Sequence, residues 1–402
     1  MLGFQTISYA ADSKPEIVVP SKKTVNLNNW ELPPYNQWAF QHIEEILPTV
    51  IVKKGSGKPA YFEYALQDLG NIEFKDSTGH KITVHQMLKN SFTDGILVIH
   101  NGKIVTEEYF HDMHPDTLHL AESVSKSLTG ALAGILITEN KLDINAKVSL
   151  YIPELKNSAY GDVTIYQLLN MTTKIQWSEN ITDPKAEVTI QEYVIGWRPP
   201  IKGLTTSNHE FLKSLKETKS HDEWFEYKSA DNDILSWVME RATKTAYAEL
   251  ISYYLWSKLG VEQDGRFTVD SKGSAISDGG FNATLRDYGR FGQMILNNGY
   301  FNHQQIVPSA WVSTFRHGDT KKFKNYSQFV PLGAYSNQWW VINNQTGVFS
   351  ALGIYGQYIY INPNANLVIV KLSSWPNPLN IDWNHDFYNA AEAIANYLGA
   401  AH

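Results

Sequence analysis

The sequence predicts an α/β fold of the α+β type: an antiparallel sheet flanked by helices, with a mostly helical lobe inserted into it. Three observations lead there. Strand-like runs lie near both ends, over 95–110 and between 339 and 372, and the residues between them read as helices and loops. Asn101-Gly102 stands between two apolar runs, the strongest short hairpin signal there is. The 402 residues, 43% of them hydrophobic, suffice for one large composite domain or two lobes. The expected division is a tail over 1–24, an α/β sandwich over 25–150 and 275–402, and a helical lobe over 151–274 that carries the loops around a site.

The tail has no Lys or Arg before Lys14 and only a brief apolar part, so it is not a complete secretory signal. That reading points to the cytoplasm; a clipped signal ending at Ser8-Tyr9-Ala10 would point to the periplasm. Residues 29–48, rich in Trp, Pro and Tyr, read as an irregular surface wrap with one short helix over 38–46. In Gly55-Ser56-Gly57-Lys58-Pro59 the glycine spacing is wrong for a phosphate loop and Pro59 replaces the hydroxyl residue, so the stretch reads as a turn. After the hairpin comes a link with His111, His114 and His119; no carboxylate flanks them at a ligand spacing, and no metal is expected.

Apolar residues then recur at Leu128, Ala131, Leu132, Ile135 and Leu136, one stripe of a helix running from Val124. A short helix is expected over 164–171, and loops without clear periodicity over 172–200, of the kind that roof a site. Helices follow over 211–220 and 231–254, the second with Ile234, Leu235, Val238 and Met239 on one face. Thr284-x-x-Asp287 opens a helix over 284–297 that ends before Gly299. Strands are expected over 339–342, 357–361 and 366–372, the last two joined by the turn Asn362-Pro363-Asn364-Ala365, and a terminal helix over 383–398.

Composition narrows the function classes. A formal net charge of −7 and a pI near 6.0 argue against a nucleic-acid partner. The absence of cysteine excludes disulfides, thiolate zinc sites and Cys nucleophiles. Apolar runs such as 131–137 are far short of the roughly 20 residues that span a bilayer.

The chemistry starts at Ser123 and Lys126. Residues three apart share a helix face, which puts the ammonium beside the hydroxyl at a helix N-terminus that favours negative charge. That is an activated nucleophile. Alone the spacing is weak: about one S-x-x-K is expected by chance in a chain of this length, and a capping Ser followed by a solvated Lys fits as well. A nucleophile also needs a second proton-handling group and an oxyanion hole. Tyr227, just ahead of the Ile234 helix, is the candidate for the first. An ammonium about 4 Å away at an effective dielectric of about 20 favours the phenolate by roughly 4 kcal/mol, enough to bring a phenol from about 10 to about 7. For the second, the backbone N–H of Ser123 would work with one from Ala351-Leu352-Gly353-Ile354. This tetrad is preferred to Gln345-Thr346-Gly347 because its glycine allows close backbone approach beside a strand.

Taken together, Thr93-Asp94-Gly95, Ser123-Val124-Ser125-Lys126, Tyr151-Ile152-Pro153-Glu154-Leu155, Leu168-Leu169-Asn170-Met171-Thr172-Thr173, Tyr227-x-Ser229, Gly279-Gly280 and Gly356-Gln357 form an ordered set. Over residues 29–376 the chain resembles the penicillin-recognising serine hydrolase superfamily, most of all its 6-aminohexanoate-dimer hydrolase (nylon-oligomer hydrolase) and carboxylesterase branch. The resemblance implies a β-lactamase/transpeptidase-like fold with Ser123 as acyl-enzyme nucleophile and Lys126 and Tyr227 as the proton-transfer pair. It implies Ile354 as the second oxyanion donor, and ester or amide hydrolysis of a small molecule without cofactor or metal. A homodimer is a candidate assembly. Ser229 stands where the superfamily usually shows the Asn of Tyr-x-Asn. Ala351 replaces the cationic or His position that holds a substrate carboxylate in β-lactamases. Ile181 stands where the nylon hydrolases place a loop tyrosine, and Tyr355 where His is expected; with Ser229, both would line the substrate. The Ile181 change favours esters over amides, and Ala351 disfavours β-lactam or cell-wall peptide turnover. A β-lactamase or D-alanyl-D-alanine carboxypeptidase, and a non-catalytic penicillin-binding-like scaffold, are the alternatives.

Overall fold

At Asn101 (φ 51°) and Gly102 (φ 75°) the backbone takes the two positive φ angles of a tight hairpin turn. The strands Thr93–His100 and Lys103–Tyr109 pair antiparallel on either side of it. The structure, a computed structural model, describes residues 21–218 and 224–400. Most of the expected tail, and the end of the helix expected over 211–220, lie outside them.

The hairpin joins an eight-stranded sheet in the order Ala334–Ser336, Trp339–Asn343, Val348–Gly353, Gln357–Asn362, Leu367–Ser373, Thr93–His100, Lys103–Tyr109, Glu63–Tyr64. Every pair is antiparallel except the last, so the expected antiparallel sheet is present. Both faces are covered. Along Leu367–Ser373, Val368, Val370 and Leu372 enter one core while Leu367 and Ile369 enter the other, which is why the strand reads as a continuous apolar run. The second core lies under the terminal helix Ile381–Ala400, where Phe387 stacks on Tyr358 at 4.0 Å. The first lies under the helices Ser125–Thr138 and Leu285–Leu296. The latter approaches closely because Gly289 faces the sheet: a methyl there would lie 2.4 Å from Leu97.

A second sheet, in the order Thr49–Val52, Gly265–Thr268, Phe281–Ala283, His119–Leu120, delivers the chain to Ser123. No helix among the described residues is long and apolar enough to cross a membrane.

Several expected boundaries move. The helix from Val124 is buried on nearly every side from Ser125 to Leu136, rather than along one stripe. The helix over 38–46 is instead a short helix Tyr35–Ala39 and a 3₁₀ turn Ile43–Glu45. Residues 172–200, expected as loop, contain the helix Glu187–Val194. Its buried positions include Thr189, Gln191 and Glu192, so no apolar period marks it. The helix over 211–220 starts earlier, at Asn208–Ser214, where Ser207 caps it. The helix over 231–254 divides at Lys244 (φ 58°) into Ser229–Thr243 and Tyr247–Ile251, followed by a π turn Ser252–Trp256. Thr284 does cap Leu285–Leu296 by accepting the Asp287 N–H, and Thr164 with Gln167 forms a full capping box on Ile165–Leu169.

Candidate active site

Ser123 sits in a 3₁₀ turn, Glu122–Val124, that runs straight into the helix Ser125–Thr138. The turn is pinned from inside: the Ser125 hydroxyl donates to the Glu122 carbonyl at 2.7 Å and accepts the Phe281 N–H at 3.0 Å. Lys126, 1% exposed, reaches back one turn. Its Nζ donates to Ser123 Oγ at 2.8 Å and to the Asp278 carbonyl at 2.7 Å. The third group is Tyr227, whose ring centroid lies 5.1 Å from the Lys126 ammonium and which interacts electrostatically with both Ser123 and Lys126. Its ring stacks on Trp340 at 5.2 Å, and its backbone N–H donates to the Tyr326 hydroxyl at 3.0 Å. Two of the three donors of the lysine ammonium are thus used, and the Tyr227 ring covers its remaining side. Residues far apart in sequence converge because the 3₁₀ turn and the helix it runs into supply two of them and the segment before Ser229–Thr243 supplies the third.

The electrostatics correct one expectation. Burial raises the Tyr227 phenol and outweighs the downward pull of Lys126, so the phenol lies above its ordinary value of 10.0 rather than near 7. Burial pulls Lys126 down, but Tyr227, Asp278 and Glu179 together carry it above its ordinary value. At neutral pH the pair therefore holds both its protons.

On the far side of Ser123, the strand Val348–Gly353 packs its end against the turn. A methyl on Gly353 would lie 2.4 Å from the Ala121 carbonyl and 3.0 Å from Glu122 Cβ. Only a bare backbone fits, which brings the segment carrying the Ile354 N–H alongside the segment carrying that of Ser123. Ser229 opens its helix, and its N–H donates to Glu179 Oε1 at 2.5 Å. Ile181 is bound locally: its N–H donates to the Glu179 carbonyl and its own carbonyl accepts from Thr189. Tyr355 (φ 61°) is buried against Phe40 at 5.2 Å, with Glu31, Glu122 and Glu192 around it. Of the three histidines, His111 and His119 bond opposite oxygens of Asp94 at 3.1 and 3.2 Å, whereas the His114 backbone bonds Thr117.

Three groups escaped sequence reasoning. Asp278 holds Lys126 through a backbone carbonyl, which carries no side-chain signal; its place just before Gly279-Gly280 was the available cue. Glu179 accepts from both Trp177 Nε1 and the Ser229 N–H, tying the roofing loop to the helix behind Tyr227. Glu122, next to the nucleophile, is buried with one carboxyl oxygen unpartnered.

A family model described as Beta-lactamase matches residues 83–393. The chain is 35% identical over 362 residues to the 6-aminohexanoate-dimer hydrolase of Paenarthrobacter ureafaciens, covering 89% of this chain and 90% of that protein. A solved structure from Bacillus anthracis, provisionally assigned as a 6-aminohexanoate-dimer hydrolase, superposes with a TM-score of 0.88 at 30% identity, over 95% of this chain and 99% of that one. EstCE1, a hydrolase with promiscuous acyltransferase activity, shares the fold alone, with a TM-score of 0.62 at 14% identity over 77% of this chain and 96% of that one.

Proposed function

The chain belongs to the Beta-lactamase family and is a serine hydrolase, and from that premise we propose that it cleaves small esters, and small linear amides more slowly, through an acyl-enzyme on Ser123. The observation that carries the reading is the Lys126 ammonium 2.8 Å from Ser123 Oγ with the Tyr227 ring 5.1 Å from that same ammonium. The reactive form is the one in which the Lys126–Tyr227 pair has lost one proton. Ser123 Oγ then attacks the carbonyl carbon while its proton passes to the phenolate. The carbonyl oxygen becomes an oxyanion between the N–H groups of Ser123 and Ile354. As the carbon–oxygen bond to the leaving alcohol breaks, Tyr227 returns the proton to the departing alkoxide. Water repeats the sequence on the acyl-serine and releases the acid.

The relative's name makes 6-aminohexanoate oligomers a substrate to try, but the site residues favour an ester. Ile181 offers no hydroxyl for a scissile amide nitrogen, whose leaving group is poorer than an alcohol. Ala351, fully buried, presents no charge for a substrate carboxylate, which supports neither β-lactams nor cell-wall peptides. The homodimer expected from the sequence is open to a sedimentation measurement.

The test is turnover of a chromogenic short-chain ester by wild type and by Ser123→Ala, together with the intact mass after a fluorophosphonate. Turnover that vanishes in the variant and an adduct on Ser123 are expected. Equal turnover in the two proteins sinks the reading, and rapid β-lactam hydrolysis would replace it with the β-lactamase alternative.

A further inference from the structure

The acylation scheme leaves one buried group beside the nucleophile without a role. Glu122 directly precedes Ser123, is 2% exposed, and sits at φ 49°, a left-handed conformation uncommon for a glutamate. Its Cβ stands against Gly353, where the segment leading to the Ser123 N–H meets the strand end leading to Ile354. Its carboxyl extends toward Gly279, where Oε2 lies 3.6 Å from the position a Cβ would take, beside Trp197. Oε1 has no hydrogen-bond partner.

The groups that face it come from every surrounding element. Lys126 projects from the following helix, Asp278 from the loop before Phe281–Ala283, and Glu192 and Arg198 from the helix Glu187–Val194 and the turn after it. Glu31 comes from the N-terminal segment and Tyr355 from the turn after Gly353. Neither cation is free for Glu122. Lys126 bonds Ser123 and Asp278 and lies over the Tyr227 ring, and Arg198 bonds Glu192 and lies 3.8 Å from Glu31. One guanidinium thus serves Glu192 and Glu31, and Glu122, the carboxyl next to the nucleophile in sequence, is left without a cation of its own. Burial pushes the Glu122 carboxyl well above the usual range, Glu192 and Asp278 push the same way, and Lys126 opposes them.

Resting on the Ser123 acyl-enzyme reading, we propose that Glu122 is a positioning residue of the acylation step that must keep its proton. Neutral, it wedges the nucleophile turn against Gly353 and so sets the spacing of the two oxyanion donors. Ionised, it places a second negative charge beside the oxyanion and switches the site off.

The experiment compares Glu122→Gln with wild type across pH. The glutamine keeps the shape and cannot ionise. At about pH 6.5 it should retain kcat/KM within about threefold. Toward about pH 10 its activity should exceed wild type by tenfold or more, because a charge beside the oxyanion costs on the order of what a lost oxyanion donor costs, roughly 10²–10³. Parallel profiles overturn the proposal, and so does a large loss at about pH 6.5 in a variant with unchanged thermal unfolding. If the glutamine chain does not fold, Glu122→Met takes its place. An infrared difference spectrum at neutral pH reads the proton without any turnover: wild type minus variant should show a positive protonated-carboxyl C=O band, and positive carboxylate bands instead overturn the proposal. Failure of the hydrolase reading has a separate signature, a wild type with no Ser123-dependent turnover, and that result removes the catalytic role of Glu122 with it.

Discussion

Asp233 and Asp278 are joined by a hydrogen bond from the Asp278 N–H to Asp233 Oδ1 at 3.1 Å, and the carbonyl of that same Asp278 accepts from Lys126 at 2.7 Å. The position of the lysine beside Ser123 is therefore set partly by a carboxylate that touches neither. Asp233 also accepts from the Ser277 N–H and hydroxyl, and from Gln191 and Asn208. Replacing it with Ala leaves several buried donors unpaired, at about 1–3 kcal/mol each before relaxation. Asp233→Ala should lower unfolding stability by about 3–5 kcal/mol in urea, and an unchanged midpoint would contradict this account of the lysine clamp.

The Lys126–Tyr227 pair makes a prediction about pH. Both groups are held above their ordinary values, so the pair is fully protonated at neutral pH. The reactive form appears on losing a proton, so kcat/KM should climb as pH rises from neutral into the alkaline range, until ionisation of Glu122 bends it. Tyr227→Phe should cut kcat by about 10²–10⁴ with a small change in KM. A rate independent of pH from about 6 to 9 would assign the base to another group.

Gly353→Ala tests the oxyanion hole. Its methyl would lie 2.4 Å from the Ala121 carbonyl, so the strand end must move away from the Ser123 turn. A kcat loss of about 10²–10³ is expected, with circular dichroism unchanged. Full activity would place the second donor elsewhere.

Glu31 links stability to pH. Burial, with Glu122 adding to it and Arg198 opposing, raises its pKa from 4.5 to about 8. A carboxyl raised on folding is protonated more in the folded than in the unfolded chain between those two values, so its contribution is complete below about 4.5 and is lost as pH rises through about 8. Its loss amounts to a few kcal/mol. Glu31→Gln removes this dependence, so the Tm of the variant relative to wild type should grow between about pH 5 and 8. A constant difference over that window would show that Glu31 is charged throughout.

Ile181→Tyr restores the loop hydroxyl that the resemblance leads one to expect. The ratio of amide to ester turnover should rise by about tenfold or more, the usual scale for one added transition-state hydrogen bond. An unchanged ratio would mean that the loop residue does not reach the leaving group.

The parts legible in the sequence are those whose causes are local. Asn101-Gly102 makes a hairpin because both positions tolerate positive φ, and Ser123 meets Lys126 because three residues make about one helical turn. Thr164 and Thr284 start helices because their hydroxyls reach nearby N–H groups. Where polar residues are buried the pattern goes silent. Glu187–Val194 turns Gln191 and Glu192 inward to bond Asp233 and Arg198, and so shows no apolar stripe.

By itself the sequence determined the α+β architecture and the pairing of Ser123 with Lys126, while the approach of Tyr227 to that pair came from the fold. The sequence did so because periodicity, turn chemistry and short spacings are properties of neighbouring residues. The tertiary structure alone decided how those side chains are charged. Whether the pull of Lys126 or the burial of Tyr227 prevails depends on how many atoms from distant segments surround the hydroxyl, and burial prevails. The same is true of the Asp278 carbonyl behind Lys126 and the crowding of Glu31, Glu122 and Glu192, which come from separate parts of the chain and meet only once it has folded.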